Sequence, residues 1–183
     1  MSKSISGHFK STQGFINHPA YSYSQYEAKM YEFSLKEKPE PYPLKYKQLS
    51  SKKLKSLRDK KNNRTITKKE YKILEWHKRL AKRRNEGIDK FWIIEKKKLQ
   101  AGLPGTRHWT EAQITDILNN KRPKYNNQTI NSHHTYSVKD YPHLANRHDL
   151  IYPVTPYEHL YGWHGGNFSK SSHGKPVKNI LQF

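Results

Sequence analysis

Residues 129–137 read TINSHHTYS, residues 149–152 read DLIY and residues 155–158 read TPYE. Their order decides the fold of the C-terminal part of the chain. The first stretch is rich in β-branched and aromatic residues and predicts a strand carrying the pair His133-His134. Residues 141–148 (YPHLANRH) predict a loop, and residues 149–152 a second short strand ending at Pro153. Three signals then agree on a helix start: Thr155 at the N-cap, Pro156 at the first helical position and Glu158 at the third. This helix carries His159, Leu160 and Trp163, and Gly165 and Gly166 stop it. Strand, loop, strand, helix is a ββα unit with histidines on its first strand and on its helix.

Upstream, the signals are helical. Thr67-Lys68-Lys69-Glu70 forms a capping box, and Ile73, Leu74, His77, Leu80 and Ala81 come after it at helical spacing. Gly87 predicts the end of that helix, and a second one over residues 89–100 buries Trp92 and Leu99 before Gly102, Pro104 and Gly105. Thr110-Glu111-Ala112-Gln113 is another capping box, leading into Ile114, Ile117 and Leu118 and closed by Asn119, Asn120 and Pro123. Residues 1–45 are polar and tyrosine-rich. Residues 20–31 suit a short helix, and Pro39, Pro41 and Pro43 stop any regular element beyond it. The expected organisation is an extended or partly disordered arm (1–45), a basic helical region (46–125) and the ββα motif (126–183). The last two form one domain. The fold class is α+β, mostly helical, with basic helices packed on the ββα motif.

Charge narrows the partners. Thirty-five Lys and Arg face 15 Asp and Glu, a formal net charge of +20 on 183 residues. Solubility needs far less, so a polyanionic partner is implied. Lys78, Lys82, Arg83 and Arg84 lie on the faces opposite the apolar stripe, with Lys170 and Lys175 near the C-terminal glycines. No apolar run is long enough for a membrane span, and the first 15 residues lack the apolar centre of a secretory signal peptide. The chain has no cysteine, which excludes disulfides, thiolate metal sites and cysteine nucleophiles. Hydrophobic residues make up 33%, so the 13 tyrosines must supply part of the core.

Seven of the 11 histidines fall between His133 and His173. Hydrolysis of a phosphodiester needs a base for water, a Lewis acid at the phosphate and positive charge around the transition state. Adjacent strand residues point to opposite faces, so a His-His pair can divide metal binding from base catalysis. Asp149 adds an oxygen donor and His159 a third candidate ligand. Imidazole plus carboxylate suits one divalent ion, Mg²⁺, Mn²⁺, Ni²⁺ or Zn²⁺.

Residues 132–138 (SHHTYSV), 141–145 (YPHLA), 149–155 (DLIYPVT), Glu158-His159 and 164–167 (HGGN) resemble the GHH branch of the HNH/endonuclease VII nuclease superfamily. Such domains commonly end bacterial polymorphic toxins. The resemblance covers roughly residues 107 to 175, Trp109 and Gln113 included. It implies a ββα-metal fold, with His133 as metal ligand, His134 as general base and His159 as the ligand on the helix. The family's usual Asn at the start of the second strand is Asp149 here, which keeps an oxygen ligand. Its usual Gly before the pair is Ser132. The implied metal ligands are thus His133, Asp149 and His159, with His133, His134 and His159 as the catalytic set. His164 lies five residues beyond His159, which in a regular helix turns it about 140° away. In colicin-type nucleases the two helix ligands are four apart, and that position here is Trp163. His164 and Asn167 are therefore secondary candidates, suited to phosphate.

The expected activity is metal-dependent hydrolysis of DNA with little sequence specificity, as an antibacterial toxin. The alternatives are a ribonuclease of the same fold and a non-catalytic nucleic-acid-binding protein. On the second alternative, the histidines are ordinary strand and helix-packing residues or hold a structural zinc. His143, His148 and His173 are expected on the surface, and Trp92, Trp109 and Trp163 in the core. The expected partners are DNA or RNA and an acidic immunity protein. Export by a specialised secretion system, or as part of a larger toxin, would deliver the domain to a target-cell cytoplasm.

Overall fold

A computed structural model describes residues 39–42 and 44–182. The short helix expected over residues 20–31, and most of the expected arm, lie outside the described residues. The fold is α+β: helices α1 (Ser51–Asn62), α2 (Lys68–Gln100) and α3 (Glu111–Leu118) precede two small antiparallel strand pairs. The pairs are β1 (Lys124–Tyr125) with β2 (Gln128–Thr129), and β3 (Asn131–His134) with β4 (Ile151–Val154). A π-helix, Glu158–Trp163, closes the ββα unit.

The capping signals form as expected. Thr67 and Glu70 exchange side-chain and backbone bonds at the start of α2, as do Thr110 and Gln113 at α3. Thr155 Oγ1 accepts from Glu158 N at 3.1 Å, and the Glu158 carboxylate accepts from Thr155 N at 2.8 Å. Helix α1, which the sequence pattern does not signal, starts on a Ser50 cap and buries one side chain, Leu57. That burial is worth roughly 1.5–3 kcal/mol.

Gly87 does not end a helix. α2 runs through it as one 33-residue element. A Cβ at Gly87 would lie 2.9 Å from the Ala145 carbonyl oxygen and 3.1 Å from Asn146 backbone atoms. The glycine therefore serves close approach of backbone to backbone, not capping. The strands are shorter and shifted relative to expectation. β3 holds residues 131–134, and Asp149 lies before β4 in a 3-10 turn, His148–Leu150. Pro153 sits within β4, where a two-stranded ribbon leaves its missing N–H without consequence.

One cluster of buried side chains joins the halves: Phe91, Trp92 and Leu99 of α2, Trp109, Ile117 of α3, Ile130 and Ile151. Trp92 Nε1 donates to Ser132 Oγ at 2.8 Å, tying α2 to β3 directly before the histidine pair. Buried Glu95 accepts from Trp109 Nε1 at 2.8 Å and from Thr106. A second buried carboxylate, Glu158, forms a two-pronged pair with Arg107 at 2.8 and 3.1 Å, and Arg107 also donates to the Pro153 carbonyl. That pair fixes the connection between β4 and the π-helix. Among the described residues no helix is long and apolar enough to cross a membrane.

Candidate metal centre and catalytic cleft

The register His133↔Tyr152 and His134↔Ile151 places the histidine pair at the end of β3. The alternation of the strand then sends the two rings apart. His133 faces the π-helix, with its ring centroid 4.8 Å from His159, 5.2 Å from His164 and 4.4 Å from Trp163. One nitrogen from each of His133, His159 and His164 falls within 4.8 Å of the others. His133 is 4% exposed, and its Nε2 has no hydrogen-bond partner among the described residues.

His164 joins this group because the helix is not regular. His164 N donates to the His159 carbonyl at 3.2 Å, a bond spanning five residues. In a π-turn, residues five apart stack on one face, so the 140° separation expected for an α-helix vanishes. The His159 and His164 rings stand 5.0 Å apart. His164 Nδ1 is paired with the Lys170 carbonyl at 2.7 Å, which makes it the donor and leaves Nε2 with its lone pair toward the cluster.

Asp149 is not brought into the group. Its exposed carboxylate accepts two bonds from Arg147, at 2.9 and 2.7 Å, and that pairing holds it below the usual carboxylate range. Of the expected set His133–Asp149–His159, the fold brings His133 and His159 together, with His164 beside them, and leaves Asp149 with Arg147. The reason is local: Asp149 belongs to the turn before β4, not to the strand.

His134 points the other way, into the space beneath the 3-10 turn Pro142–Leu144. Its Nε2 pairs with the Ala145 carbonyl at 3.0 Å, so Nε2 carries the proton and Nδ1 the lone pair. Burial pulls its pKa to about 4, with Arg84 adding to the effect against the Ala145 carbonyl. Burial, then the charge of His164, brings His159 to about 4. Burial and the neighbouring imidazoles hold His133 well below the ordinary value. These imidazoles are uncharged at neutral pH, the state that both metal ligands and a general base require.

All four histidines line one cleft of about 230 Å³, with Ser132, Ser137, Arg84 and Lys139 around them. Arg84 was among the expected cations; Lys139 and Gln48 were not, because the fold alone brings them to the cleft. Lys78 and Lys82 are exposed on α2. Arg83 is committed elsewhere, donating to the His143 carbonyl at 2.8 Å and to Asn146 Oδ1 at 3.0 Å. Asn167 Oδ1 accepts from Ser169 N within its own turn. Lys170 serves the cluster through its carbonyl, and Lys175 is exposed. Phe168 is 60% exposed yet lies edge-on to His159 and His164, at 5.3 and 5.4 Å. Trp92, Trp109 and Trp163 are buried, while His143 and His173 are exposed and His148 is half-buried.

A strand pair and a short helix thus gather three imidazoles that could hold a metal ion beside a fourth, separately oriented one, in a ββα unit. Residues 74–155 match the Tox-GHH family model, described as a GHH signature containing HNH/Endo VII superfamily nuclease toxin. The matched span takes in most of α2 and both histidines of β3 and ends before His159. Neither a search of curated proteins nor a search of solved structures found a match.

Proposed function

We propose that the chain is a metal-dependent endonuclease that hydrolyses DNA with little sequence preference and acts as an antibacterial toxin. The observation that carries this reading is the division of labour at His133-His134. One ring joins a three-imidazole cluster, and the next, turned away, is fixed by the Ala145 carbonyl with its Nδ1 lone pair free.

The donor set fits a divalent ion. The buried Nε2 of His133, without a hydrogen-bond partner, faces two further imidazoles, and His164 is oriented by the Lys170 carbonyl. Three imidazole ligands favour a borderline metal such as Zn²⁺ or Ni²⁺ over Mg²⁺, which prefers carboxylate and water oxygens. Three protein ligands also leave a position for substrate. When bound there, the ion supplies Lewis acidity that offsets charge on the phosphate and on the leaving oxygen. His134 Nδ1 accepts a proton from the attacking water as its oxygen bonds to phosphorus. The P–O3′ bond breaks, and the departing oxygen takes a proton from solvent. Arg84 and Lys139 place positive charge at the cleft. The remaining basic surface of α2 tracks the phosphate backbone with little reading of bases.

Such an enzyme threatens the cell that makes it, which calls for an inhibitor. The net charge of +20 favours an acidic immunity protein captured by electrostatic steering. Delivery by a specialised secretion route, or within a larger toxin, would place the nuclease in a target cell. The test is plasmid cleavage after chelation, with Zn²⁺, Ni²⁺, Mn²⁺ or Mg²⁺ restored, beside a His134→Ala variant. Metal-dependent nicking that the variant loses supports the reading. Binding without cleavage under every metal sinks it, and cleavage of RNA alone would replace the substrate.

A further inference from the structure

Beside the histidine cleft lies a second, larger hollow that the proposed hydrolysis does not use. It is a groove of about 500 Å³ between α1 and α2, within the range of pockets that hold small organic groups. It runs into the cleft, because Gln48, Leu80 and Arg84 line both. Its floor is aliphatic, made by Leu49, Leu54 and Leu74, while Arg58, Lys61 and Lys78 stand around it. Its one acidic residue, Glu75, is held by Lys61 at 3.1 Å. In its wall His77 is 9% exposed, and the ring's Nε2 has no partner among the described residues.

An apolar floor ringed by cations suits a ligand that is flat and apolar on its faces and anionic along its edge. A nucleotide answers that description. In a duplex the faces of the bases are stacked on one another and cannot reach such a floor, so only an unpaired base fits. From these features we propose that the α1–α2 groove is a subsite for an unpaired base of the substrate strand, adjoining the phosphate bound at the histidine cleft. The inference rests on the nuclease reading and deepens it. The enzyme takes single-stranded or locally opened nucleic acid, and the groove selects it by the presence of a base, not by which base it is. Arg58 and Lys78 hold the flanking phosphates, and the leucine floor takes the face of the ring.

The experiment separates base from charge and binding from cleavage. The full chain carrying His134→Ala, kept in chelator, is titrated with labelled oligothymidylate, with an abasic strand of equal length and with a duplex, and anisotropy is read. The same titrations are repeated with Ala81→Leu added, which fills the groove from an exposed helical position without changing charge. The expected result is that oligothymidylate binds about 10-fold tighter than the abasic strand, a difference of the size supplied by covering roughly 50–60 Å² of one base face with aliphatic groups, and that Ala81→Leu abolishes it. Duplex affinity stays unchanged. Equal binding of the two single strands, or a base preference that survives Ala81→Leu, overturns the subsite. Because no cleavage is read, failure of the wild-type chain to cut either plasmid or single strands, with an intact base preference, removes the nuclease reading alone. Cleavage without base preference removes the groove alone.

Discussion

His164 donates its backbone N–H to the carbonyl of His159 across five residues, at 3.2 Å, and the two imidazoles stand 5.0 Å apart as a result. A single widened turn thus converts a spacing that separates two side chains in an α-helix into one that superposes them. The widened turn is held from outside. Val177 N and Lys178 N both donate to the Gly162 carbonyl, and Gln182 N donates to Glu158.

The ligand set can be tested by removing its members. His164→Ala is expected to lower Zn²⁺ or Ni²⁺ affinity by about 10- to 100-fold or more, while Asp149→Ala leaves it within about twofold. Titration calorimetry on the two variants decides between them. Loss with Asp149→Ala and none with His164→Ala would return the site to the set expected from sequence.

Helix α2 bears on His134, the proposed base, as well as on the core. A Cβ at Gly87 would press on the Ala145 carbonyl oxygen that holds His134 Nε2. Gly87→Ala therefore shifts the base and lowers kcat by about 100-fold, the scale of a 1 Å misplacement, while metal affinity is kept. If kcat survives and only Tm falls, the contact is structural alone.

Acid should weaken the metal-free protein. His134 and His159 have folded-state pKa values of about 4 against 6.5 for the free side chain. Between those values the unfolded chain binds protons that the folded chain refuses, so stability rises with pH through this window and is lost as pH falls through it. Buried Glu158 acts in the same direction at lower pH: burial opposes its ionisation, but Arg107 and the Gln182 and Thr155 amides outweigh burial. Acidification in chelator from about pH 7 to about pH 4.5 should lower Tm by about 10–20 °C, from a loss of about 5 kcal/mol. His134→Gln should remove part of that slope. A Tm that is flat or rises on acidification would contradict the burial of neutral imidazoles.

Two adjacent arginines should separate by salt dependence. Arg84 lines the cleft, whereas Arg83 ties α2 to the His143 carbonyl and Asn146. Arg84→Ser is expected to reduce the slope of log affinity against log salt by about 1. Arg83→Ser should leave the slope intact and lower Tm. Identical slopes for both variants would show that neither position distinguishes substrate from scaffold.

Signals in the sequence are readable wherever the physics is local. The Thr67, Thr110 and Thr155 caps, the buried tryptophans and the order of the ββα unit all depend on neighbours a few residues away. The family likeness rests on the same stretches. Features set by distant chain escape such a reading. Gly87 looks like a helix stop until Ala145 is packed against it. Asp149 looks like a strand residue until the turn before β4 gives it to Arg147. His164 looks misplaced until residues 177–182 hold a turn open that no helical propensity favours. Helix α1, with one buried residue, shows almost no apolar periodicity to detect. The Asn126-Asn127 turn between β1 and β2, with φ of 46° and 61°, is different in kind: two adjacent asparagines are a local hairpin signal.

The strap formed by residues 177–182 also bears on when, during synthesis, the histidine cluster comes together. Synthesis runs from the N-terminus, so the histidine pair and the helix histidines leave the ribosome before the segment that holds the wide turn. The bonds that brace Gly162 and Glu158 from outside the turn include those from Val177, Lys178 and Gln182. A growing chain has every ligand in sequence and still lacks the strap that helps unite them. The wide turn that carries His159 and His164 is thus braced only after residues 177–182 have left the ribosome.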